Sequence, residues 1–275
     1  MKQTRLAFIG AGNMSRSLIG GLIADGWDPG SICVADPDSD QLAAVTSRFK
    51  VHTDTDNTRA AEQSEVVVLA VKPQILRGVA QELASTVSRR QPLTISVAAG
   101  IRSADMQRWL GGGCALVRCM PNTPALVQSG ATAMFATPEV SPAQKDLSEN
   151  ILRAVGLTLW VDEEALLDAV TALSGSGPAY FFLVMEALQD AGQELGLDEK
   201  TAKLLTLQTA FGAAKMALES SDQAGVLRQR VTSPGGTTEK ALEILENGGL
   251  RALFKDALVA ARDRSQELAQ QFGAD

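Results

Sequence analysis

Runs of apolar residues alternate with helical patterns along the first 160 residues of the chain. The run at 66–71 is continuously apolar, which is typical of a parallel strand covered on both faces. Strands alternating with helices predict an α/β fold with a Rossmann-type doubly wound sheet. The pattern predicts strands at 6–9, 32–35, 51–53, 66–71, 93–97, 116–120, 131–136 and 157–161, with helices from Asn13, at 39–49 and at 141–154.

After residue 162 the chain becomes rich in Ala, Leu, Gln and Glu and loses its strand signals. The sequence therefore predicts two domains, a nucleotide-binding domain at 1–162 and an all-α domain at 163–275. Long apolar helix faces predict packing between subunits, and one compact monomeric bundle is the alternative. The predicted helices lie at 163–173, 179–195, 200–219, 237–246 and 250–271.

The composition narrows the class of protein. Of the 275 residues, 45% are hydrophobic and 21% charged, which fits a folded globular protein. The net charge of −7 argues against nucleic acid as a partner. No apolar run is long enough to cross a bilayer, so we expect a cytoplasmic protein without a membrane partner. Cys33, Cys114 and Cys119 lack the spacing of metal ligands, so we expect reduced thiols, buried at 114 and 119, and no bound metal.

The first predicted strand ends in the sequence Gly-Ala-Gly-Asn-Met-Ser at 10–15. Gly10 allows a tight turn, and Gly12 lets backbone N–H groups approach a pyrophosphate. The helix that begins near Asn13 directs its partial positive charge at the same group. Ser15 replaces the third glycine of this motif and is small enough for close packing of the helix on the strand. The pattern predicts a dinucleotide site, with an ordinary strand–turn–helix as the alternative.

Other loops follow the carboxyl ends of predicted strands, where such sheets bind ligands. They lie at 70–73, 98–100 and 120–124. Asp36 ends the second strand, where a carboxylate would accept hydrogen bonds from ribose and favour NADH; the alternative is that Asp36 caps the next helix. Asn57 and Arg59, predicted on the loop after the third strand, would favour NADPH instead.

Two glycine-rich segments in the second half, 174–178 and 232–238, each precede a helix. Free N–H groups at a helix start suit a small anion such as a carboxylate, so both segments are candidates for a substrate pocket. Ordinary helix capping is the alternative for each.

The sequence offers few proton donors. His52 is the only histidine and is predicted at the surface, and the helix 178–193 contains neither His nor Lys. Reduction of a carbonyl usually needs such a donor. A protonated cyclic imine needs only position, a carboxylate clamp and a hydroxyl group. We therefore expect an imine substrate, unless one of the lysines Lys203, Lys215 or Lys240 folds into the site.

Five segments together resemble pyrroline-5-carboxylate reductases: 10–14, 70–73, 120–125, 174–180 and 233–238. The resemblance covers essentially the whole chain. It implies a Rossmann domain joined to a helical dimerisation domain, with homodimers assembled further, commonly into decamers. It also implies NADPH- or NADH-dependent reduction of 1-pyrroline-5-carboxylate to L-proline, the last step of proline biosynthesis, by hydride transfer to the cyclic imine.

The resemblance also implies roles for individual residues. Thr238 matches the catalytic threonine whose hydroxyl meets the ring nitrogen of the substrate. Asp36 stands where relatives that prefer NADPH often carry a serine, so the resemblance leaves the choice between NADH and NADPH open. Two other functions remain open: a β-hydroxyacid-type dehydrogenase with a catalytic lysine, and a protein that binds NAD(P) without turnover. The implied substrate residues are Glu164, Ser233, Gly235, Gly236, Thr237 and Thr238, and the candidate cofactor residues are Ile9, Gly10, Ala11, Gly12, Asn13, Met14, Asp36, Asn57, Ala70, Val71, Lys72, Pro73 and Ala98.

Overall fold

A computed structural model describes residues 4–273 of the chain. Within this range, eight strands form one sheet in the order β3-β2-β1-β4-β5-β6-β7-β8. Neighbouring strands are parallel except β6 and β7, which are antiparallel. The strands are β1 Leu6–Ile9, β2 Ile32–Ala35, β3 His52–Asp54, β4 Val66–Leu69, β5 Leu93–Ser96, β6 Leu116–Met120, β7 Gly130–Ala136 and β8 Gly156–Trp160.

Helices connect the strands and make up the second half of the chain. The α/β fold predicted from the sequence is confirmed, and each predicted strand has a counterpart. Four helices were not assigned from the sequence: Asn57–Glu62, Pro73–Arg90, Ser103–Trp109 and Ala224–Arg230. The helices are α1 Asn13–Ala24, α2 Ser39–Phe49, α3 Asn57–Glu62, α4 Pro73–Arg90, α5 Ser103–Trp109, α6 Pro142–Arg153, α7 Leu166–Val170, α8 Gly177–Glu194, α9 Glu199–Glu219, α10 Ala224–Arg230, α11 Thr237–Asn247 and α12 Leu250–Gly273.

The central strands are covered on both faces. Leu6 and Phe8 of β1 belong to one hydrophobic core, and Ala7 and Ile9 belong to a second core on the opposite face. This division follows from the alternation of side chains along a strand. Every residue of β1 and β4 is buried, as expected for strands at the centre of a doubly wound sheet.

The described residues divide into two compact units, one formed by 4–176 with 260–273 and the other by 177–259. The first unit contains the whole sheet and the end of α12. In that unit, Ser265 of α12 donates a hydrogen bond from its hydroxyl to Asp168 Oδ1 at 2.7 Å. The domain boundary expected from the sequence, at 162/163, stays a prediction.

The second unit is helical, with α8 and α9 packed against each other. Among residues 177–259, all of them described, only Gly177 and Ala202 are buried. Large apolar side chains on α8 and α9 are open in the single chain, including Phe181 at 67% and Phe211 at 63% exposure. Over 4–273, no helix combines the length and apolar character that a membrane span would need.

Candidate functional site

The glycine turn lies where the order of the strands reverses, between β1 and β4. The backbone N–H of Gly10 donates to Ala35 O at 2.8 Å, and Ala70 N–H donates to Ile9 O at 2.9 Å. These bonds bring the loops after β1, β2 and β4 side by side at the carboxyl edge of the sheet. This is the position at which doubly wound sheets bind their ligands.

The two glycines of the turn have different physical roles. Gly10 has a φ of +104°, and a Cβ there would lie 2.7 Å from the carbonyl oxygen of Ala70, so a side chain is excluded. A Cβ on Gly12 would meet nothing within 4 Å. Gly12 therefore borders open space at the N-terminus of α1, where no side chain caps the free N–H groups. Ser15 is fully buried and donates its hydroxyl to Gly10 O, which confirms its predicted packing role.

The loops after β4 and β5 lie next to this turn. Lys72 is the N-terminal cap residue of α4 and is exposed, and Pro73 is the first residue of the helix. Val97 N–H donates to Leu69 O at 3.1 Å, which continues the row of strand ends into the loop at 98–100. Ala98 is 4% exposed and leaves a small side chain on this edge.

Asp36 is held by two backbone amides. Its Oδ2 accepts from Ala11 N at 2.8 Å and its Oδ1 from Asp38 N at 2.9 Å. The N-terminal cap of α2 is Asp38 rather than Asp36, because Asp38 accepts from Asp40 N and Gln41 N. The helix-capping alternative for Asp36 is therefore wrong, and its carboxylate instead joins the glycine turn to the loop after β2.

Asn57 and Arg59 do not lie on a loop as predicted. Asp56 accepts hydrogen bonds from the amides of Thr58 and Arg59 and so begins α3 at Asn57. Asn57 Nδ2 donates to Glu82 Oε2 at 3.1 Å. Arg59 donates to both carboxylate oxygens of Asp54, at 3.0 and 2.6 Å, and these hydrogen bonds lower the pKa of Asp54.

The segment 174–178 is not an open helix start. A π-helical turn, Thr171–Gly175, follows α7 directly, and Ser176 N–H donates to Thr171 O at 2.8 Å. The backbone N–H of Ser176 is thus used within the turn, and an anion site on the rest of the segment stays a prediction. Asn122 Nδ2 donates to Ser174 O at 3.1 Å, which connects the loop after β6 to this turn.

Glu164 lies in a polar cluster of the first unit. It accepts hydrogen bonds from Ser103 N and Ser103 Oγ, both at 2.6 Å, and from Arg118 Nη1 at 2.8 Å. Arg118 is only 5% exposed. A cavity of about 340 Å³ adjoins the cluster and is lined by Arg102, Arg118, Glu164, Ala165, Asp168 and Gln266. Neither Ser103 nor Arg118 was identified from the sequence, although a charged residue inside the apolar strand 116–120 was a usable signal.

In the second unit, the segment 233–238 forms a tight turn that opens into α11. Gly235 has a φ of +70°, and Gly236 N–H donates to Ser233 O at 3.0 Å. Gly236 is the cap position of α11 without a side-chain hydrogen bond, so the first N–H groups of the helix stay open. Gly235 N–H donates to Glu239 Oε2 at 2.7 Å. One amide of the turn therefore already binds a carboxylate of its own chain, and binding of a substrate carboxylate stays a prediction.

The remaining titratable candidates fall outside these sites. His52 is exposed on β3, as predicted. Lys215 and Lys240 pair with Glu219 and Glu243, at 3.8 and 2.9 Å. Two cysteines, Cys114 and Cys119, are buried as predicted, and burial raises the pKa of the Cys114 thiol to about 11.

The turn at 10–14 fits a dinucleotide, since Gly12 leaves open space in front of the helix N-terminus and Asp36 lies beside it. Together with the doubly wound sheet, these features define a Rossmann-type dinucleotide-binding protein. Residues 5–100 match the family model described as "NADP oxidoreductase coenzyme F420-dependent", and residues 164–268 match "Pyrroline-5-carboxylate reductase dimerisation".

The similarity to known proteins extends over the whole chain. A pyrroline-5-carboxylate reductase of Pseudomonas aeruginosa is 51% identical over 99% of this chain and 100% of its own length. The solved reductase of Coxiella burnetii is 50% identical with a TM-score of 0.94, covering 97% of this chain and 98% of its own. That of Plasmodium falciparum, with NADP bound, is 28% identical with a TM-score of 0.86, covering 98% and 99%. The chain belongs to the pyrroline-5-carboxylate reductase family.

Proposed function

We propose that this protein is an NAD(P)H-dependent imine reductase that converts 1-pyrroline-5-carboxylate into L-proline, the last step of proline biosynthesis. The observation that carries the proposal is the turn at 233–238, where a backbone amide already holds a carboxylate at the start of α11. A substrate carboxylate is an anion of the same kind. Whole-length similarity to enzymes of this name supports the same activity.

The cofactor is proposed to bind along the carboxyl edge of the sheet in the first unit. Bound NAD(P)H supplies the hydride. The open N–H groups at the start of α1 bind the pyrophosphate, and Asp36 accepts hydrogen bonds from ribose. Lys72 is exposed and free to reach phosphate or ribose oxygens, and Ala98 leaves room for a flat ring. The full set is Ile9, Gly10, Ala11, Gly12, Asn13, Met14, Asp36, Asn57, Ala70, Val71, Lys72, Pro73 and Ala98.

The substrate is proposed to bind through the turn of the second unit. Ser233 and the backbone of 235–237 bind the carboxylate, and the Thr238 hydroxyl oxygen accepts a hydrogen bond from the N–H of the protonated ring nitrogen. Binding and orientation of this kind suffice for an imine that is already protonated. The three lysines of the dehydrogenase alternative, Lys203, Lys215 and Lys240, are exposed in the single chain, and the proposal assigns them no proton transfer. Glu164 is a further proposed substrate residue, on the strength of the resemblance.

The protein is proposed to work as a homodimer, assembled further into an oligomer such as a decamer. The second unit spans 83 residues, 177–259, and buries only Gly177 and Ala202 among them. It therefore has no hydrophobic core of its own. A groove of about 530 Å³ on α8 and α9 is lined partly by Phe182, Leu183 and Leu207. Exposed apolar surface of this extent marks an interface. We place the protein in the cytoplasm, with a functional boundary at 162/163 and without a nucleic-acid, membrane or metal partner.

The test is oxidation of NADH and of NADPH in the presence of 1-pyrroline-5-carboxylate, with formation of L-proline measured in parallel. Turnover that depends on the imine supports the proposal. Absence of turnover with both cofactors overturns it, and intact dinucleotide binding in that case would favour a protein that binds NAD(P) without reaction. Activity on hydroxyacids instead would favour the dehydrogenase alternative.

A further inference from the structure

We infer that the dinucleotide site selects NADH over NADPH by charge, and that Asp36 is the residue that sets this preference. The inference rests on the proposed function in one respect, that a nicotinamide dinucleotide binds at the glycine turn. It goes beyond that function because the two cofactors differ only in the 2′-phosphate on the adenosine ribose.

The position of Asp36 is fixed from both sides. The strands β1 and β2 run parallel with Ile9 opposite Ala35, so Asp36 follows β2 level with the glycine turn. One carboxylate oxygen is bonded to Ala11 N in that turn and the other to Asp38 N. The carboxylate therefore cannot swing away to make room for a phosphate. It can still accept hydrogen bonds from hydroxyl groups, because a carboxylate has about four acceptor positions.

Further negative charge surrounds this position. The backbone N–H of Asp36 donates to Asp54 O at 3.2 Å, which brings the ends of β2 and β3 together. Asp38 caps α2 and Asp40 lies in the first turn of that helix. Asp54 and Asp56 follow on the β3 side, where Arg59 offsets part of their charge. A 2′-phosphate would add about two negative charges next to these carboxylates. A ribose hydroxyl adds none, so the electrostatic cost falls on NADPH alone.

The nearby cations are engaged elsewhere. Arg59 makes the two hydrogen bonds to Asp54 described above. Arg16 donates from Nε to Ala11 O at 3.0 Å and from Nη2 to the side-chain carbonyl of Gln41. Lys72 follows β4, which is separated from β2 by β1 in the order of the strands. Neither guanidinium is therefore presented to a 2′-phosphate in the way that an NADP-selective site requires.

The test is equilibrium binding of NADH and NADPH to the full-length protein without substrate, followed by quenching of tryptophan fluorescence. We expect NADH to bind at least about tenfold more tightly. Removing the charge of Asp36, by Asp36→Ser or by the isosteric Asp36→Asn, should bring the dissociation constants of NADH and NADPH to within about threefold of each other. The matched control is Asp28→Asn, since Asp28 also accepts a backbone amide, from Gly30, but precedes β2 at the opposite edge of the sheet. This control should keep the wild-type ratio.

Ionic strength separates charge from shape. If repulsion sets the preference, the NADH-to-NADPH ratio of wild type should shrink as salt rises, because salt screens the extra charges. Equal or tighter binding of NADPH by wild type overturns the inference, as does an unchanged ratio in both Asp36 variants. Loss of binding of both dinucleotides in the Asp36 variants also overturns the inference. Selective NADH binding without reduction of the imine would support the inference and overturn only the proposed function.

Discussion

Glu164 binds Ser103 through both of its carboxylate oxygens, one to the backbone amide and one to the hydroxyl, each at 2.6 Å. Ser103 is the first residue of α5, so this pair fixes the end of the loop that leaves β5 through Ala98. Arg118 of β6 supports the same carboxylate from a buried position. Glu164 therefore has a structural role in the first unit, whichever substrate contact the resemblance implies.

The first prediction concerns this role. Glu164→Ala should lower the free energy of unfolding by about 2–3 kcal/mol, because it leaves the Arg118 guanidinium buried without its partner. Thermal and denaturant unfolding measure the loss. Glu163→Ala, a change at the exposed neighbouring residue, is the control and should cost less than about 0.5 kcal/mol. Equal stability of the two variants would show that the cluster around Glu164 contributes nothing to the free energy of unfolding.

The sequence predicted the sheet well because the signals for it are local. A continuous apolar run such as 66–71 has few interpretations other than a buried strand. Likewise, Ser141 followed by proline and Gln144 makes the expected capping box at α6. Short helices carry weaker signals. The helix α3 begins at Asn57 because Asp56 caps it, and six residues are too few to show a helical period.

The candidate sites were less predictable where they depend on partners distant in sequence. The Ser176 amide looked free because nothing in the sequence signals a π-helical turn. In the structure, a Cβ on Gly175 would lie 2.5 Å from the terminal methyl group of Met120, a contact between segments that are distant in sequence. The partners of Glu164 are 61 and 46 residues away along the chain. Contacts of that kind follow from the packing of strands and not from a motif.

The second prediction separates the two glycines of the dinucleotide turn. Gly12→Ala should leave the melting temperature nearly unchanged, since its Cβ meets nothing within 4 Å, but should weaken dinucleotide binding by about tenfold or more. Gly10→Ala should lower the free energy of unfolding by at least about 2 kcal/mol, because a positive φ and a contact at 2.7 Å both oppose a side chain. Gly78→Ala, in an open position on α4, is the control for both.

Should Gly12→Ala bind dinucleotides as wild type does, the open space at the start of α1 would not be the pyrophosphate site. Unfolding and binding are measured on the same preparations, so the two glycines can be compared directly.

The third prediction concerns Thr238. Thr238→Ala should reduce kcat by about tenfold to a hundredfold, the loss expected when one hydrogen bond that orients the imine for hydride transfer is removed. Dinucleotide affinity should stay as in wild type, because the Rossmann site lies in the other unit. Thr238→Ser keeps the hydroxyl and should recover most of the activity. Normal turnover by the alanine variant would exclude the assigned role.

The fourth prediction concerns assembly. Phe182→Asp places a charge in the apolar groove on α8, where Phe182 is 65% exposed in the single chain. It should shift the protein towards monomers in sedimentation velocity and lower the melting temperature, because unit 177–259 would lose the surface that buries it. The control is Val127→Asp, at an exposed apolar residue of the first unit. An unchanged oligomer with Phe182→Asp would remove this groove from the interface.

The last prediction follows from the carboxylate that the substrate turn already holds. Glu239 occupies the Gly235 amide at 2.7 Å, and a substrate carboxylate bound there must compete with it and with its charge. Glu239→Gln removes the charge and weakens this hydrogen bond, so KM for 1-pyrroline-5-carboxylate should fall by about threefold with little change in kcat. Glu243→Gln, one turn further along α11 and paired with Lys240, should leave KM unchanged. A KM that rises in the Glu239 variant would mean that this carboxylate assists binding, for example by holding the turn in shape.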